Sequence, residues 1–399
     1  MAMFSPEFIE KVRKFKKNRR AYHSLRILLL LFMLTLPAEL MFNHRPIIMR
    51  LDGQWFFPML REYTYQDLGG AYTIPVVNYR ASLFADFVAG REPDVQTDLV
   101  YGDGSALASG GDNAVVRYRQ TRPRQFWALW PPIPHTYKSF YTSKILDRQR
   151  LASPLAVTAG DRIIPGAVAE RHLLGTDRFG KDVLARLVYG FRQSLLFGLA
   201  LALTSSVIGC VLGAVQGFFG GVIDLLGQRV TEIWGAIPHL LLLMILSDFL
   251  SRKGDFTEFQ HLMMLFLIMN LTTWMGMAAH MRAQFLAARN LDYVKAAKAL
   301  GVSNVRIMFR HILPNSLTPI VTFLPFSISS SILALVGLDF LGFGIKYPAP
   351  SLGELLAQGQ QHLDAWWIMM PTFLTLTTLM ILLTFIGDGV RNAFDPRYK

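Results

Sequence analysis

The segment Gly175-Thr-Asp-Arg-Phe-Gly180-Lys181-Asp182 comes within one residue of the phosphate-cradling pattern G-x-x-x-x-G-K-[ST]. The mismatch falls on the chemistry. The last position should offer a hydroxyl to magnesium, whereas Asp182 sets a carboxylate beside the phosphates, and no strand pattern leads into the loop. A nucleotide site is therefore not expected here. Histidines 239 and 280 stand alone, without metal-ligand spacing, and no nucleophile accompanies them with a base, so neither a metal site nor a catalytic residue is predicted. Cys210 is the one cysteine and lies in an apolar run; disulfides are excluded and a packing role is expected.

A second stretch suits a mechanical task. In Asn290-Leu-Asp-Tyr-Val-Lys-Ala-Ala-Lys-Ala-Leu-Gly301, Asn290 or Asp292 can cap a helix start, and Ala296, Ala297 and Ala299 favour helix while adding little bulk. Gly301 can take the left-handed conformation that ends the helix. Ser303 can cap a second helix through Val305, Ile307, Met308 and Ile312, which Pro314 stops or bends. Small residues on an exposed helix let another backbone approach closely, which fits docking better than catalysis. The plainer reading is an amphipathic hairpin packed on the rest of the protein.

These segments must be held by long apolar elements. Of 399 residues 52% are hydrophobic and 17% charged, against roughly 25% charged in soluble domains. The apolar residues cluster into runs near the ~20 needed to cross hydrocarbon as a helix. Six spans are expected, at about 26–43, 194–219, 231–250, 262–281, 317–341 and 367–387. The formal charge of +12 sits beside these runs, which points to topology and anionic lipid rather than nucleic acid. Lys11, Arg13, Lys14, Lys16, Lys17, Arg19 and Arg20 precede the first run, read as an uncleaved anchor.

Short loops fix sidedness. Residues 282–310 carry Arg282, Arg289, Lys295, Lys298, Arg306 and Arg310 against Asp292 alone, so the hairpin is expected in the cytoplasm. The charge-balanced loops 251–261 and 343–366 belong outside, and both termini inside. The expected organisation is a basic cytoplasmic segment 1–25, a first span 26–43 and an external region 44–193 ending in an interfacial amphipathic helix (Asp182–Arg192). A five-helix core 194–387 containing the hairpin 283–315 follows, then a cytoplasmic tail 388–399. Within the external region, Asp52–Tyr65 reads as a turn and an aromatic-rich strand or helix, Tyr101–Asp112 as a mobile loop, and Phe126–Pro134 as an aromatic cluster. Pro238 and Pro371 should bend their spans, and Glu39 should reach the outer interface.

Ala296-Ala297, Gly301 and Ile312-Leu313-Pro314 stand at the spacing of the cytoplasmic loop of binding-protein-dependent ABC permeases, which this chain resembles; Lys295 replaces the usual glutamate. His172-Leu-Leu-Gly-Thr-Asp-Arg-Phe-Gly-Lys-Asp-Val-Leu-Ala-Arg186, Leu338-Asp-Phe-Leu-Gly-Phe-Gly344 with Pro350-Ser-Leu-Gly353, and Ile386-Gly-Asp-Gly-Val-Arg-Asn-Ala-Phe-Asp-Pro396 resemble the dipeptide and oligopeptide branch. Asn18-Arg-Arg, Leu51-Asp-Gly-Gln-Trp-Phe-Phe-Pro58 and Asp67-Leu-Gly-Gly70 resemble the Yej-type importers of oligopeptides and peptide–nucleotide antibiotics; residues of about 80–170 contribute no motif to this resemblance.

The resemblance implies an all-α polytopic inner-membrane protein with a type I ABC importer core of six transmembrane helices and a periplasmic insertion between the first two. It further implies a homologous permease partner, two ATPase subunits that bind ATP and magnesium, a periplasmic substrate-binding protein and a peptide substrate. This chain itself would be non-catalytic, hold no cofactor and contact membrane lipid but not nucleic acid. The ATPase-coupling residues would be Asp292, Tyr293, Lys295, Ala296, Ala297, Leu300, Gly301, Ile312, Leu313 and Pro314. Polar span residues Ser205, Ser206, Glu232, Asn270, Thr273, Ser329 and Ser330 are the candidates for the translocation path, with helix-to-helix hydrogen bonding as the plainer role. An ATP-independent channel or secondary transporter is the alternative; it would not need the hairpin.

Overall fold

The structure, a computed structural model, describes residues 6–43, 45–70, 79, 82–93, 118–120, 122–133, 136–137, 151, 153–154, 172–251, 256–345 and 348–394. The loop expected at Tyr101–Asp112 lies outside them, as do Arg252, Lys253, Asp255, Lys346, Arg397 and Lys399. The chain is mostly helical and divides into two compact units, one of Leu34–Tyr189 with Gln361–Met369 and one of the remainder.

In the first unit, β1 (Ile48–Leu51) and β2 (Gln54–Phe56) form a hairpin. Asp52 at φ 49° and Gly53 at φ 88° take the left-handed turn that matches strand twist. The aromatic-rich run after the turn is thus a strand. Among the described strands, β3 (Arg91–Pro93) pairs with β4 (Tyr118–Gln120), and β5 (Phe126–Leu129) lies antiparallel to β1, giving the order β2-β1-β5. Strand alternation turns Met49 and Leu51 inward onto Tyr65, Phe84, Phe87 and Trp130, and leaves Arg50 exposed opposite Trp55 and Trp127. Arg124 ties the cluster together, donating to the carbonyls of Leu68 (2.9 Å) and Gly69 (2.7 Å) while lying over Phe87.

The near-phosphate loop belongs to this unit, and its geometry explains its residues. Asp177 Oδ1 accepts from the backbone amides of Phe179 (2.8 Å) and Lys181 (2.9 Å), and Oδ2 accepts from Arg186 (2.6 Å), both side chains fully buried. A phosphate loop aims such amides outward; here they are spent inward on a carboxylate. Asp182 accepts from Ala185 N (2.7 Å) at the start of the next helix and pairs with His172 (2.9 Å). Trp367 Nε1 donates to the Thr176 carbonyl (3.2 Å).

The second unit is helical. Near the amino terminus lie α1 (Pro6–Lys17) and α2 (Arg19–Thr35); the single turn α3 (Ala38–Met41) that follows in the chain belongs, like α4 (Ser82–Val88), to the first unit. The first span, expected over 26–43, is interrupted where Pro37 intervenes between α2 and α3. Glu39 sits exposed on α3. α5 runs unbroken from Val183 to Phe219. The amphipathic helix expected to lie separately at 182–192 is instead its first turns, because no breaker falls between Val183 and the apolar run.

α6 (Gly221–Ala236) and α7 (His239–Ser251) meet at a 77° bend where Ile237-Pro238 breaks the ladder, so the span expected at 231–250 is divided there. α8 (Glu258–Thr273) begins at a Thr257–Gln260 capping box and continues through Trp274 into α9 (Met275–Ala288). α12 (Thr318–Phe340), α13 (Leu352–Gln361) and α14 (Trp366–Phe394) complete the core; Pro371 lies inside α14 without breaking it, as Pro325 does in α12. Among the described residues four helices are long and apolar enough to cross a membrane, and five crossings result if the bent pair is one.

Helix approach is set by glycine. A side chain on Gly209, Gly213 or Gly217 of α5 would collide with the backbone of α9, at the Trp274, Ala278 and Arg282 carbonyls. Beyond α12, buried Asp339 accepts from Ser351 Oγ (2.5 Å) and Ile345 N (2.6 Å), and Gly353 packs where a Cβ would meet Val336 O and Asp339. That knot gives the Leu338–Gly344 and Pro350–Gly353 sequences a structural reason.

Candidate functional site

Two sites arise within the helical unit. The first is the hairpin after α9. α10 (Asp292–Ala299) has Leu291 as its N-cap with no side-chain cap bond, so Asn290 and Asp292 do not cap it; Asp292 is already inside the helix and reaches Lys295 (3.5 Å). Gly301, at φ 74°, ends it: Gly301 N donates to Lys298 O (3.0 Å) and Val302 N to Ala297 O (3.1 Å), a Schellman turn.

The second arm departs from the expected regular helix. Ser303 precedes the short α11 (Asn304–Arg306) without a side-chain cap bond, and a π-helical turn (Ile307–Ile312) and a 3-10 turn (Leu313–Ser316) follow. Pro314 has no amide hydrogen and its ring would strike the carbonyl four residues earlier; the widened turn accommodates both.

The two faces of the hairpin differ. Val294, Ala297, Ile307, Met308 and Ile312 are buried against Phe218 of α5 and Met281, Phe285 and Ala288 of α9. Val305, on the same arm, is exposed. Asp292, Tyr293, Lys295, Ala296 and Pro314 are exposed, Leu313 is half-buried, and Leu300 is 83% exposed beside Gly301. Of the predicted coupling residues, Ala297 and Ile312 therefore anchor the hairpin, and the acid, the tyrosine, the lysine and Leu300 present a free face. A bidentate pair between Arg282 of α9 and Asp224 of α6 (Nη2 to Oδ2 2.7 Å, and Nε to Oδ1) fixes the helix end that carries the hairpin.

The second site is a cavity of about 480 Å³ among α5, α7, α8, α9 and α12. Four of the predicted path residues line it: Ser205 and Ser206 from α5, Thr273 from α8 and Ser330 from α12. Asn270, Glu232 and Ser329 are not among its lining residues. Asn270 bonds Thr204 (2.8 Å), Glu232 pairs with Arg229 (2.7 Å) and Ser329 bonds its own helix at Pro325 O (3.1 Å). The sequence reading missed His239 and His280, which both face the cavity, and His280 stacks on Phe323 at 4.2 Å. Spacing held a signal for one of them: Thr273, Met277 and His280 recur at four and three residues and so share a face across the α8–α9 joint. His239 had none, since the bend at Pro238 brings it there.

This combination of apolar crossing helices, a hairpin with one anchored and one open face, and a polar intramembrane cavity agrees with comparison to known proteins. Residues 195–399 match the family described as the binding-protein-dependent transport system inner membrane component. The inner membrane ABC transporter permease protein YejE of Escherichia coli K12 is 39% identical over 99% of both chains. The peptidoglycan transport system permease protein YejE of Agrobacterium fabrum is 38% identical over 99% of this chain and 94% of its own length. The dipeptide transport system permease protein DppC of Haemophilus influenzae is 34% identical over 57% of this chain and 75% of its own length. By this likeness along its full length, the chain belongs to the inner-membrane components of binding-protein-dependent transport systems and is a multi-pass inner-membrane protein.

Proposed function

We propose that this permease pairs with a homologous permease, two cytoplasmic ATPases and a periplasmic substrate-binding protein to import oligopeptides, peptide–nucleotide compounds among them. The peptide assignment is supported by the dipeptide and peptidoglycan permeases to which the chain is similar. One observation carries the coupling role: the hairpin is bolted by its apolar face to the ends of α5 and α9 while its other face is open. A push on that open face moves the helices as rigid bodies, the way packed cores transmit displacement. The ATPases supply hydrolysis; this chain supplies the lever and half of the path. In this reading there are six crossings, α2 being the first, with both termini and residues 283–315 in the cytoplasm and residues 44–193 on the outer side. The ATP-independent alternative leaves the open face without a task.

Accessibility of Lys295 tests the arrangement. In a Cys210→Ala background, a cysteine introduced by Lys295→Cys is expected to react with a membrane-impermeant maleimide only after the inner membrane is opened. Reaction in cells whose inner membrane is intact would refute it.

A further inference from the structure

α6 turns polar residues toward its own protein and apolar ones away from it. Its half-buried positions are Asp224, Gly227, Gln228 and Thr231, at helical steps of three, one and three. Asp224 takes Arg282 of α9, Gln228 Nε2 donates to Gln216 of α5 (3.4 Å), and a Cβ on Gly227 would strike the same glutamine. The opposite stripe carries Val222, Leu225, Leu226, Arg229, Glu232 and Ile233, all exposed. On it Arg229 Nη1 donates to Glu232 (2.7 Å), the two side chains being 68% and 56% exposed among apolar neighbours.

The depth of this ion pair follows from the helices beside it. α8 and α9 form one helix, Glu258–Ala288, with no Asp, Glu, Lys or Arg between Glu258 and Arg282. That stretch is about 36 Å long, enough to cross a hydrocarbon core of about 30 Å, and Leu271 falls near its middle. α6 runs alongside, tied to Arg282 by Asp224 and to the Leu271 carbonyl by Trp234 Nε1 (2.9 Å). Along the axis Glu232 lies within about 3 Å of Trp234, and Arg229 within about 8 Å, so both are inside the hydrocarbon.

Neither solvent suits such a face. Lipid offers nothing to a guanidinium and a carboxylate, and ionisable groups at this depth face protein or water. Water in turn would wet Val222, Leu225, Leu226 and Ile233 against the hydrophobic effect. A protein surface that is apolar around a few acceptors for the other N–H groups of Arg229 satisfies both demands.

We propose that this face of α6 is covered by the homologous permease, with the Arg229–Glu232 pair set inside the interface. The proposal rests on the heteromeric reading above. Of the partners in that reading, the ATPases and the binding protein lie outside the hydrocarbon, so the second permease is the one that reaches this depth.

The test uses the complete complex in native membranes, with Ile233→p-benzoylphenylalanine as a photo-crosslinker and mass spectrometry of the products. The expected adduct joins this chain to the second permease. An adduct confined to lipid, or to a second copy of this chain, would overturn the proposal. So would fast labelling of Ile233→Cys, in a Cys210→Ala background, by a charged thiosulfonate in the nucleotide-free complex, since that marks a water-lined face.

Charge gives an independent readout. Glu232→Arg sets two like charges in the interface and should lower the amount of second permease that co-purifies at least about tenfold. Arg229→Glu combined with Glu232→Arg restores an opposite pair and should recover most of it. Full retention in the single variant would count against the proposal as decisively as a missing adduct. Purification of the native complex without any second permease would instead bring down the heteromeric reading, and needs no variant to detect.

Discussion

Replacing Gly301 separates backbone conformation from bulk, because a Cβ built there meets nothing within 4 Å. Space is not the constraint; the φ of 74° is. A residue with a side chain pays roughly 1–2 kcal/mol in the left-handed region, and a β-branched one more, while asparagine tolerates it. A cost of that size changes the population of the Schellman turn by a factor of roughly 5–30. Without that turn the bonds from Gly301 N and Val302 N are lost, and Ile307, Met308 and Ile312 no longer meet Val294 and Ala297 in register.

Gly301→Val should therefore reduce peptide uptake about tenfold in liposomes containing the complete complex, with ATP hydrolysis no longer stimulated by substrate. Gly301→Asn should retain most of both. The decisive comparison is between these two variants at equal complex assembly. Equal activities for Val and Asn, whether both normal or both lost, would refute the argument from φ.

Gly213→Leu would set a Cβ 2.3 Å from the Ala278 carbonyl oxygen, so α5 and α9 must separate; a loss of at least about 1–3 kcal/mol is expected as a lowered melting temperature in detergent. Gly337→Ala, on α12 where a Cβ meets nothing within 4 Å, should be neutral or slightly stabilising in the same assay. Asp177→Ala removes the carboxylate to which Arg186 donates at 0% exposure and should cost about 3–5 kcal/mol, whereas the paired change Asp177→Leu with Arg186→Met should recover much of it, read by thermal unfolding. Lys181→Ala should leave photo-crosslinking of the complex by azido-ATP unchanged, since the loop's amides already serve Asp177; lost labelling would reinstate a nucleotide site.

Sequence alone determined the helical, membrane-crossing character of the chain and the position of the hairpin. Apolar runs of sufficient length have one low-energy form in lipid, and a glycine after an alanine-rich helix has one cheap conformation. It also sufficed to reject the phosphate loop, because a carboxylate at position 182 is wrong whatever the fold. Tertiary structure decided what lies far apart in the chain. The π-helical turn before Pro314, the 77° bend that carries His239 to the cavity, and the merging of residues 183–192 into α5 depend on packing and on breaker geometry in context. Likewise, Ser330 and Asn270 look alike as polar residues in apolar runs. Only the packed helices turn Ser330 toward a cavity and spend Asn270 on Thr204, because helix rotation is set by the glycine contacts between helices and not by the composition of either one.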